Sequence, residues 1–414
     1  MKITPVKGTN DYLPADTALR DALQGQILAV YRAAGYNRIS TPILEDIENL
    51  DKSEGGENLN LIFKVMKRGE KLEEALRAGG EKELCDMGLR YDLTLPLCRY
   101  YANNRAFLPA PFKCIQTDRV YRAERPQKGR LREFVQCDID ILGDESEECE
   151  IELIATTAKA LKRVGFGNFT VKVNDRTVLR AFLEKCGFDC ACFDSVCICL
   201  DKLDKIGAAG VREELLAKGS GEECVSRLLD LFEGGMTVGK AKTLLPDLPA
   251  LQRLENVISA SEKIAAGSYK VVFDLTLIRG QGYYTGSVFE VAVDGYPGAV
   301  AGGGRYDRLI EKFISERVPA VGFSIGFERI FGILRERGGV PATGGRKKLA
   351  LIYKEDFLPA YETAEKLRGE YDVTTYPMPK KLGKLLNALE KNGFDGFVYE
   401  ENPEEIRYCE KREG

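Results

Sequence analysis

Four arginines stand where a phosphate could be gripped. The stretch DRVYRAERPQKGRLREFVQCDIDILG, from Asp118 to Gly143, has the pattern strand, charged loop (Glu124 to Arg130), strand. Such a hairpin can aim Arg122 and Arg132 from its two strands at one point. A guanidinium is planar and donates to two oxygens at once, which suits phosphate. Arg279, in LIRGQGYYTGSVFE, stands at a strand end before glycines, where a ligand can approach the backbone closely. Arg329, in AVGFSIGFERI, falls in the first turn of a glycine-started helix. A charged hairpin alone is usually a solvated, salt-bridged surface element, so the reading needs further groups.

Those groups are present. In LRYDLTLPLCRYY, Asp92 and Thr94 alternate with apolar residues, which predicts one strand face carrying a carboxylate beside a hydroxyl. That pair suits an ammonium group. Tyr283 and Tyr284 form a tyrosine pair behind Arg279, and Tyr284 could offer its hydroxyl into a pocket; Arg305 and Tyr306 follow a glycine run, Gly302 to Gly304. The chain has no histidine, which removes Ser-His-Asp triads, Cys-His pairs and His-ligated metals. Chemistry must rest on carboxylates, Arg, Lys, Tyr, thiols, backbone dipoles or a bound cation.

Several apparent signals carry less. Gly234-x4-Gly239-Lys240 imitates a phosphate-binding loop, but Ala241 stands where a hydroxyl should hold magnesium, and a helical pattern precedes it. Gly280-x-Gly282 has Thr285 in place of the third glycine of a dinucleotide loop. Cys186, Cys190, Cys192, Cys197 and Cys199 crowd together without the paired C-x2-C spacing of a zinc site. Reduced, mostly buried thiols are the expectation for the twelve cysteines.

The elements that must position these groups can be outlined. Asp16 is a good N-cap for a helix whose stripe is Leu19, Leu23, Ile27 and Tyr31, and Gly35 ends it. A short strand runs through Arg38 and Ile39 to Pro42. Residues 51–89 are charge-rich with two glycine pairs, the pattern of a long surface excursion. Strands are expected near Leu89–Thr94, Lys113–Tyr121 and Phe134–Leu142, then a helix opened by a capping box of Asp144 and Glu147. Residues 185–265 are helical in pattern. Strands resume at Lys270–Ile278 and Tyr283–Val293, the glycine run leads into a helix near Arg305–Phe313, and strand Ala320–Ser324 feeds a helix from about Gly326. After a glycine-rich linker at 338–345, strands and helices alternate in a compact α/β pattern.

From KGTNDYLP at residue 7 to KLGKLL at 381, the chain resembles the histidyl-tRNA synthetases, a class II aminoacyl-tRNA synthetase family. The hairpin resembles the second class motif and the Arg329 segment the third, while LIRGQGYYTG and AGGGRYD resemble stretches peculiar to the histidine enzymes. The resemblance implies an α+β fold: an antiparallel catalytic sheet flanked by helices, with a helical insertion and a small C-terminal α/β anticodon-binding domain. It divides the chain into catalytic parts 1–184 and 266–337, an insertion 185–265 and a C-terminal domain 347–414. It implies a homodimer built through the first class motif, which ends at Pro42.

It also implies roles. Arg122 and Arg279 would contact the α-phosphate of ATP, with Arg279 in the place of the family's catalytic arginine. Arg329 would hold the outer phosphates and adenine side, Phe134 would stack on adenine, and Glu124 would bind the nucleotide or its Mg2+. Asp92, Thr94 and Gln136 would hold the α-amino group of histidine. Asp140 and Tyr284, with Tyr283 and Tyr306 nearby, would read the imidazole, which has one donor and one acceptor. Gln127 and Arg130 are candidates for the tRNA acceptor end, and Lys380, Lys381 and Lys384 for the anticodon stem. The chain departs from the family where Asp92 and Asp140 stand for a frequent Glu and Gln281–Gly282 for a frequent Leu-Asp. A non-catalytic paralogue, the histidine-binding regulatory subunit of ATP phosphoribosyltransferase, is the alternative; the intact arginine set and C-terminal domain oppose it. An ATP-dependent amide-forming enzyme on the same scaffold is a second rival, opposed by the Asp140 and Tyr284 pair.

Composition agrees with that expectation. A length of 414 residues suggests two or three domains. The net charge of −4 offers no globally basic field, so any nucleic-acid contact must use local basic clusters. No apolar run is long enough for a bilayer, and Met1 to Pro5 lacks a signal-peptide core, so a cytoplasmic location is expected.

Overall fold

The structure is a computed structural model describing residues 3–52, 60–80, 84–126, 130–200, 202–278, 282–337 and 346–409. These fall into two compact units, with boundaries at Asn10/Asp11, Ala22/Leu23 and Gly339/Val340.

The first helix is Pro14–Ala33. It begins two residues before the expected Asp16 cap, because proline fits the first helical turn, where its missing N–H costs nothing. Leu23, Ile27 and Tyr31 are fully buried, and Gly35 closes the helix with φ +89°. A short strand β1 (Asn37–Arg38) follows. Strands β2 (Leu44–Asp46), β3 (Phe63–Met66) and β4 (Cys85–Leu89) then pair antiparallel in the order β2-β4-β3. Where described, the expected surface excursion therefore has its own small sheet, plus a helix Glu70–Ala78.

The main sheet is built on the hairpin of β5 (Phe112–Tyr121) and β6 (Glu133–Leu142), paired without a slip from Phe112↔Leu142 to Tyr121↔Glu133. The sheet is completed by β7 (Phe169–Asp175), β8 (Lys270–Phe273), β9 (Ser287–Val293), β10 (Ala299–Arg305) and β11 (Ala320–Gly326). Its order is β1-β5-β6-β11-β10-β9-β7-β8, antiparallel except at the β1–β5 and β7–β8 pairs. Side chains alternate along a strand, so Gln136, Asp138 and Asp140 share one face of β6. Cys137, Ile139 and Ile141, on the other face, are fully buried.

Three expectations need correction. The segment predicted as strand Leu89–Thr94 leaves β4 at Leu89, bends, and becomes the helix Thr94–Asn104. The Asp92 carboxylate accepts from the Leu95 N–H at 3.2 Å, so it satisfies a helix-end donor that a strand would have paired elsewhere. The glycine run is part of β10 rather than a lead into a helix, and only Glu311–Ile314 is helical beyond it. A Cβ on Gly303 would lie 2.0 Å from the Gly322 carbonyl oxygen, so the glycines are there for close strand approach. Asp144 accepts from the Ser146 N–H at 2.9 Å and so closes a turn, while Glu147 sits at the N-cap of helix Glu148–Arg163.

Between β7 and β8 lie the helices Arg176–Cys186, Phe193–Leu200, Leu203–Ala217, Glu222–Glu233, Val238–Leu244 and Pro249–Ala265. They share a core that includes Phe182, Val196, Val211, Leu228 and Leu251. Cys186, Cys197 and Cys199 are buried in it, while Cys190 and Cys192 are exposed. In the apparent phosphate loop, Lys240 donates back to the carbonyls of Gly234 (3.0 Å) and Gly235 (3.1 Å), and Thr237 caps the helix. Those groups serve a helix start.

In the second unit, β12 (Lys348–Tyr353), β13 (Asp372–Pro377), β14 (Gly396–Tyr399) and β15 (Asn402–Tyr408) form a sheet ordered β13-β12-β14-β15. The first three strands are parallel, linked by helices Phe357–Leu367 and Leu382–Lys391, and β15 adds an antiparallel edge. Its core is Leu349, Leu351, Ala360, Ala364, Val373 and Val398.

Candidate active site

The sheet face carrying Gln136, Asp138 and Asp140 gathers most of the expected groups. Tyr306, just past β10, donates its hydroxyl to Asp140 Oδ1 at 2.6 Å. Both residues are buried. Burial pushes the Asp140 carboxyl up to about 7, against the Tyr306 hydrogen bond, and the nearby Asp92 charge adds to the rise. With Oδ1 held by Tyr306, the second carboxylate oxygen remains for another donor.

Asp92 lies at the mouth of helix Thr94–Asn104. Its Oδ2 accepts from the Tyr283 hydroxyl at 3.3 Å. Burial raises its pKa too, opposed by the Leu95 amide and by the Arg122 charge. Thr94 also interacts with the Tyr283 hydroxyl. The two residues meet as predicted, but through a helix start instead of a strand face. The Tyr283 ring lies edge-on to Tyr284 (centroids 4.9 Å) and to Tyr306 (6.1 Å), so three tyrosines form one wall.

Gln136 donates to Ser324 Oγ at 2.9 Å from the neighbouring strand β11. Its Oε1 is buried with no partner among the described residues, an acceptor facing nothing that donates. Asp138 shares that condition at Oδ1 and is pushed well above the ordinary carboxylate range, by burial first and by Asp140 second. Sequence reasoning passed over Asp138 and Ser324, although two-residue periodicity from Gln136 and Asp140 marks Asp138.

The arginines lie at the open end. Arg122, just beyond β5, donates through Nε to the Tyr91 carbonyl at 3.1 Å, and its guanidinium lies 5.0 Å from the Phe134 ring centroid. Glu124 pairs with Arg130 across the hairpin loop at 3.4 Å. Arg329 occupies the first turn of helix Phe327–Glu336 and donates to the Ala299 carbonyl, while its neighbour Glu328 accepts from the Val135 N–H at 3.2 Å. Arg279 and Gln127 lie outside the described residues. Lys380, Lys381 and Lys384 belong to the second unit, all exposed, around the start of helix Leu382–Lys391.

Arg305 does something else. It forms a two-pronged ion pair with the fully buried Glu150 (2.7 and 2.6 Å) and a third contact to Asp307 (3.2 Å). Glu150 also takes Arg253 at 3.0 Å. This network ties the end of β10, and so Tyr306, to helix Glu148–Arg163. Two glycines make room for the face itself. A Cβ on Gly322 would lie 1.9 Å from Asp140 Oδ1, and one on Gly304 would lie 2.8 Å from the Tyr284 ring.

The arrangement joins a buried acceptor-rich pocket to half-exposed guanidinium groups beside an aromatic ring. Such a surface can hold a small zwitterion with a donor-bearing side chain next to a polyphosphate. Comparison with known proteins agrees. The family model described as histidyl-tRNA synthetase matches residues 8–330. The histidine–tRNA ligase of Leifsonia xyli subsp. xyli is 43% identical over 366 residues, covering 85% of this chain and 84% of the relative. A probable histidine–tRNA ligase of Tropheryma whipplei is 38% identical over 424 residues, covering 96% of each. The crystal structure of histidyl-tRNA synthetase from Nostoc sp. PCC 7120 superposes with a TM-score of 0.78 at 28% identity, over 96% of this chain and 91% of that one. On these grounds the chain belongs to the histidyl-tRNA synthetase family of aminoacyl-tRNA synthetases.

Proposed function

We propose that this chain uses ATP to activate histidine as histidyl-adenylate and then transfers the histidyl group to the 3′ end of histidine tRNA. The observation that carries the reading is the buried Asp140–Tyr306 pair at 2.6 Å beside the tyrosine wall, in a chain of this family. An imidazole N–H can donate to the free oxygen of Asp140, and the Tyr284 hydroxyl can satisfy the other nitrogen. Analogues lacking those groups leave buried polar atoms unpaired and are rejected.

The α-ammonium group of histidine is assigned to Asp92, Thr94 and the Gln136 carbonyl oxygen. Asp92 is buried beside Tyr283 with a raised pKa, so an arriving cation restores the charge that burial opposes. The histidine carboxylate then attacks the α-phosphorus of ATP, and the bond to pyrophosphate breaks. Arg122 and Arg279 stabilise the charge that grows on the α-phosphate oxygens. Arg122 now donates to a backbone carbonyl and can exchange that weak partner for phosphate. Phe134 stacks on adenine, and Arg329 holds the outer phosphates.

Magnesium fits this site as a companion of ATP. Among the described residues no group of three acidic or thiol side chains could cage a cation, so an ion here would come with the nucleotide, and Glu124 is the residue that would hold it. The ion would neutralise charge on the outer phosphates.

In the second step a terminal ribose hydroxyl attacks the acyl carbon, and AMP leaves. Gln127 and Arg130 are assigned to the acceptor end. Lys380, Lys381 and Lys384 are assigned to the anticodon stem; they surround a helix N-terminus, whose dipole also favours anions. We further assign the chain a homodimeric state, cytoplasmic in location; among the described residues no helix is long and apolar enough to cross a membrane. The boundaries 1–184, 185–265, 266–337 and 347–414 remain the proposed functional division. The regulatory alternative is disfavoured by the ligase relatives, which match most of the chain. The test is charging of histidine tRNA with labelled histidine by the purified chain. Labelled tRNA is expected; histidine binding without charging would favour the regulatory reading.

A further inference from the structure

Asp138 is a buried carboxylate to which the two-step reaction described above gives no part; its residue is 5% exposed. It stands on β6 between Gln136 and Asp140, opposite Ser324 of β11 on one side and Gln116 of β5 on the other. Directly opposed residues of an antiparallel pair sit close enough for their side chains to meet. The Gln116 amide is engaged elsewhere: its oxygen accepts from the Thr41 hydroxyl at 3.1 Å, and its nitrogen donates to the Leu93 carbonyl at 2.8 Å. The Ser324 hydroxyl bonds to the Asp138 carboxyl. The same hydroxyl accepts from Gln136 Nε2 at 2.9 Å, a diagonal reach across the strand pair. Ser324 therefore joins Gln136 to Asp138.

The direction of these bonds matters. A hydroxyl both donates and accepts, so Ser324 alone leaves the Gln136 amide undecided: it could take the Nε2 hydrogen or give its own to Oε1. An ionised carboxylate only accepts. With its single proton on Asp138, Ser324 has only lone pairs left for Gln136, and Nε2 is the end of the amide that can use them. Oε1 then points away from Ser324, buried and without a partner among the described residues. A buried acceptor left in that condition is costly until a ligand donates to it. A flipped amide would present N–H groups instead, which repel an ammonium group. Burial, then the Asp140 charge, pushes the Asp138 carboxyl well up, and Asp92 adds to the rise; the Ser324 bond and the Arg122 charge oppose it. An ammonium group arriving at Gln136 adds a second cation nearby and favours the ionised carboxylate.

We propose that Asp138 and Ser324 are positioning residues for the amino-acid substrate: the Asp138 carboxylate takes the Ser324 proton, and Ser324 in turn fixes the Gln136 amide with its carbonyl oxygen available to the α-ammonium group. This rests on the histidine-activating function proposed above and adds two residues that the family resemblance did not point to. Neither needs to touch the substrate; they decide which end of Gln136 does.

The test uses the full chain carrying Asp138→Ala, Ser324→Ala, both together, or Asp138→Ala with Gln136→Glu. Histidine-dependent ATP–pyrophosphate exchange gives KM for histidine, KM for ATP and kcat. Calorimetry gives binding of histidine and of imidazolepropionate, which lacks the amino group. Each single alanine is expected to raise the histidine KM about tenfold, as for a lost hydrogen bond to a charged group. KM for ATP and kcat should stay within about twofold, the sign of lost substrate binding. The two alanines together should also cost about tenfold rather than about a hundredfold, because they break one chain of bonds. Gln136→Glu should recover most of the loss in Asp138→Ala, since a carboxylate accepts in either orientation. Imidazolepropionate should bind the alanine variants as it binds wild type. Unaltered histidine KM in Asp138→Ala overturns the proposal. So does a multiplied effect in the double alanine variant, which would make Asp138 an independent ligand, and so does equal weakening of imidazolepropionate, which would mean general damage to the pocket. If wild type shows no exchange yet histidine binding by calorimetry follows the expected pattern, the activation reading fails and the positioning chain stands.

Discussion

The two ends of the candidate site are built differently. At the amino-acid end, Asp92, Asp140, Tyr283 and Tyr306 are buried and bonded to one another, with two carboxylates held above their usual pKa range. At the nucleotide end, Arg122, Glu124, Phe134 and Arg329 are half-exposed, and the two arginines donate to backbone carbonyls. One end is a finished mould. The other is a set of cations with temporary partners, complete only when phosphate replaces them. Selection of a small side chain demands a rigid, desolvated pocket, because rejection comes from buried groups left unpaired. Stabilising a phosphoryl transition state demands charge that meets the ligand as it arrives.

Substitutions can break that contrast. The largest expected effect is at the nucleotide end: Arg122→Ala should lower the rate of adenylate formation by roughly 10²–10³ with folding intact. Arg122→Lys should not restore the rate, since a point charge lacks the fork. Unchanged folding is the sharpening feature, because Arg122 is half-exposed and its hydrogen bond goes to a backbone carbonyl.

At the mould end the same kind of change should alter stability as well. Asp140 has a folded pKa of about 7, above its unfolded value, so the folded state binds more protons between about pH 4 and 7. Stability from this group is therefore fully present at low pH and is lost as pH rises through about 7. Asp140→Asn should raise stability at pH 8 by an upper bound of roughly 4 kcal/mol while impairing histidine use by about 10–100-fold. Thermal unfolding at pH 5 and pH 8 reads the first effect. A variant equally stable at both pH values relative to wild type would contradict the raised pKa.

A smaller effect is expected from Gly322→Ala, whose Cβ would meet Asp140 Oδ1 at 1.9 Å. The carboxylate must move, so histidine affinity should fall by about tenfold while ATP affinity holds. Equal loss for both ligands would mean that the two ends are not separately built.

Much of this was legible in the sequence, and for physical reasons. The hairpin was visible because two strand-like stretches flank one charged loop, Glu124 to Arg130. Asp140 and Gln136 came from the family resemblance, and the register of β6 puts them on one face. The segment around Asp92 was misread because short alternation cannot distinguish a strand from a bend that caps a helix, and the deciding contact, to Tyr283, is 191 residues away. The glycine run misled for a similar reason: its role in β10 depends on neighbours β9 and β11 that only the folded sheet supplies. Asp138 was passed over as a partner in alternation, and the absence of a hydrogen-bond partner at Oδ1 among the described residues is a tertiary property. The Arg305–Glu150 pair spans 155 residues and leaves no local trace.

The most direct test of the central claim is ATP–pyrophosphate exchange by the purified chain, with each amino acid offered separately. The account predicts exchange with histidine alone, slowed by roughly 10²–10³ by Arg122→Ala and weakened less by Asp140→Asn. Histidine binding without exchange would contradict activation, and exchange driven by another amino acid would contradict the reading of the Asp140–Tyr306 pocket.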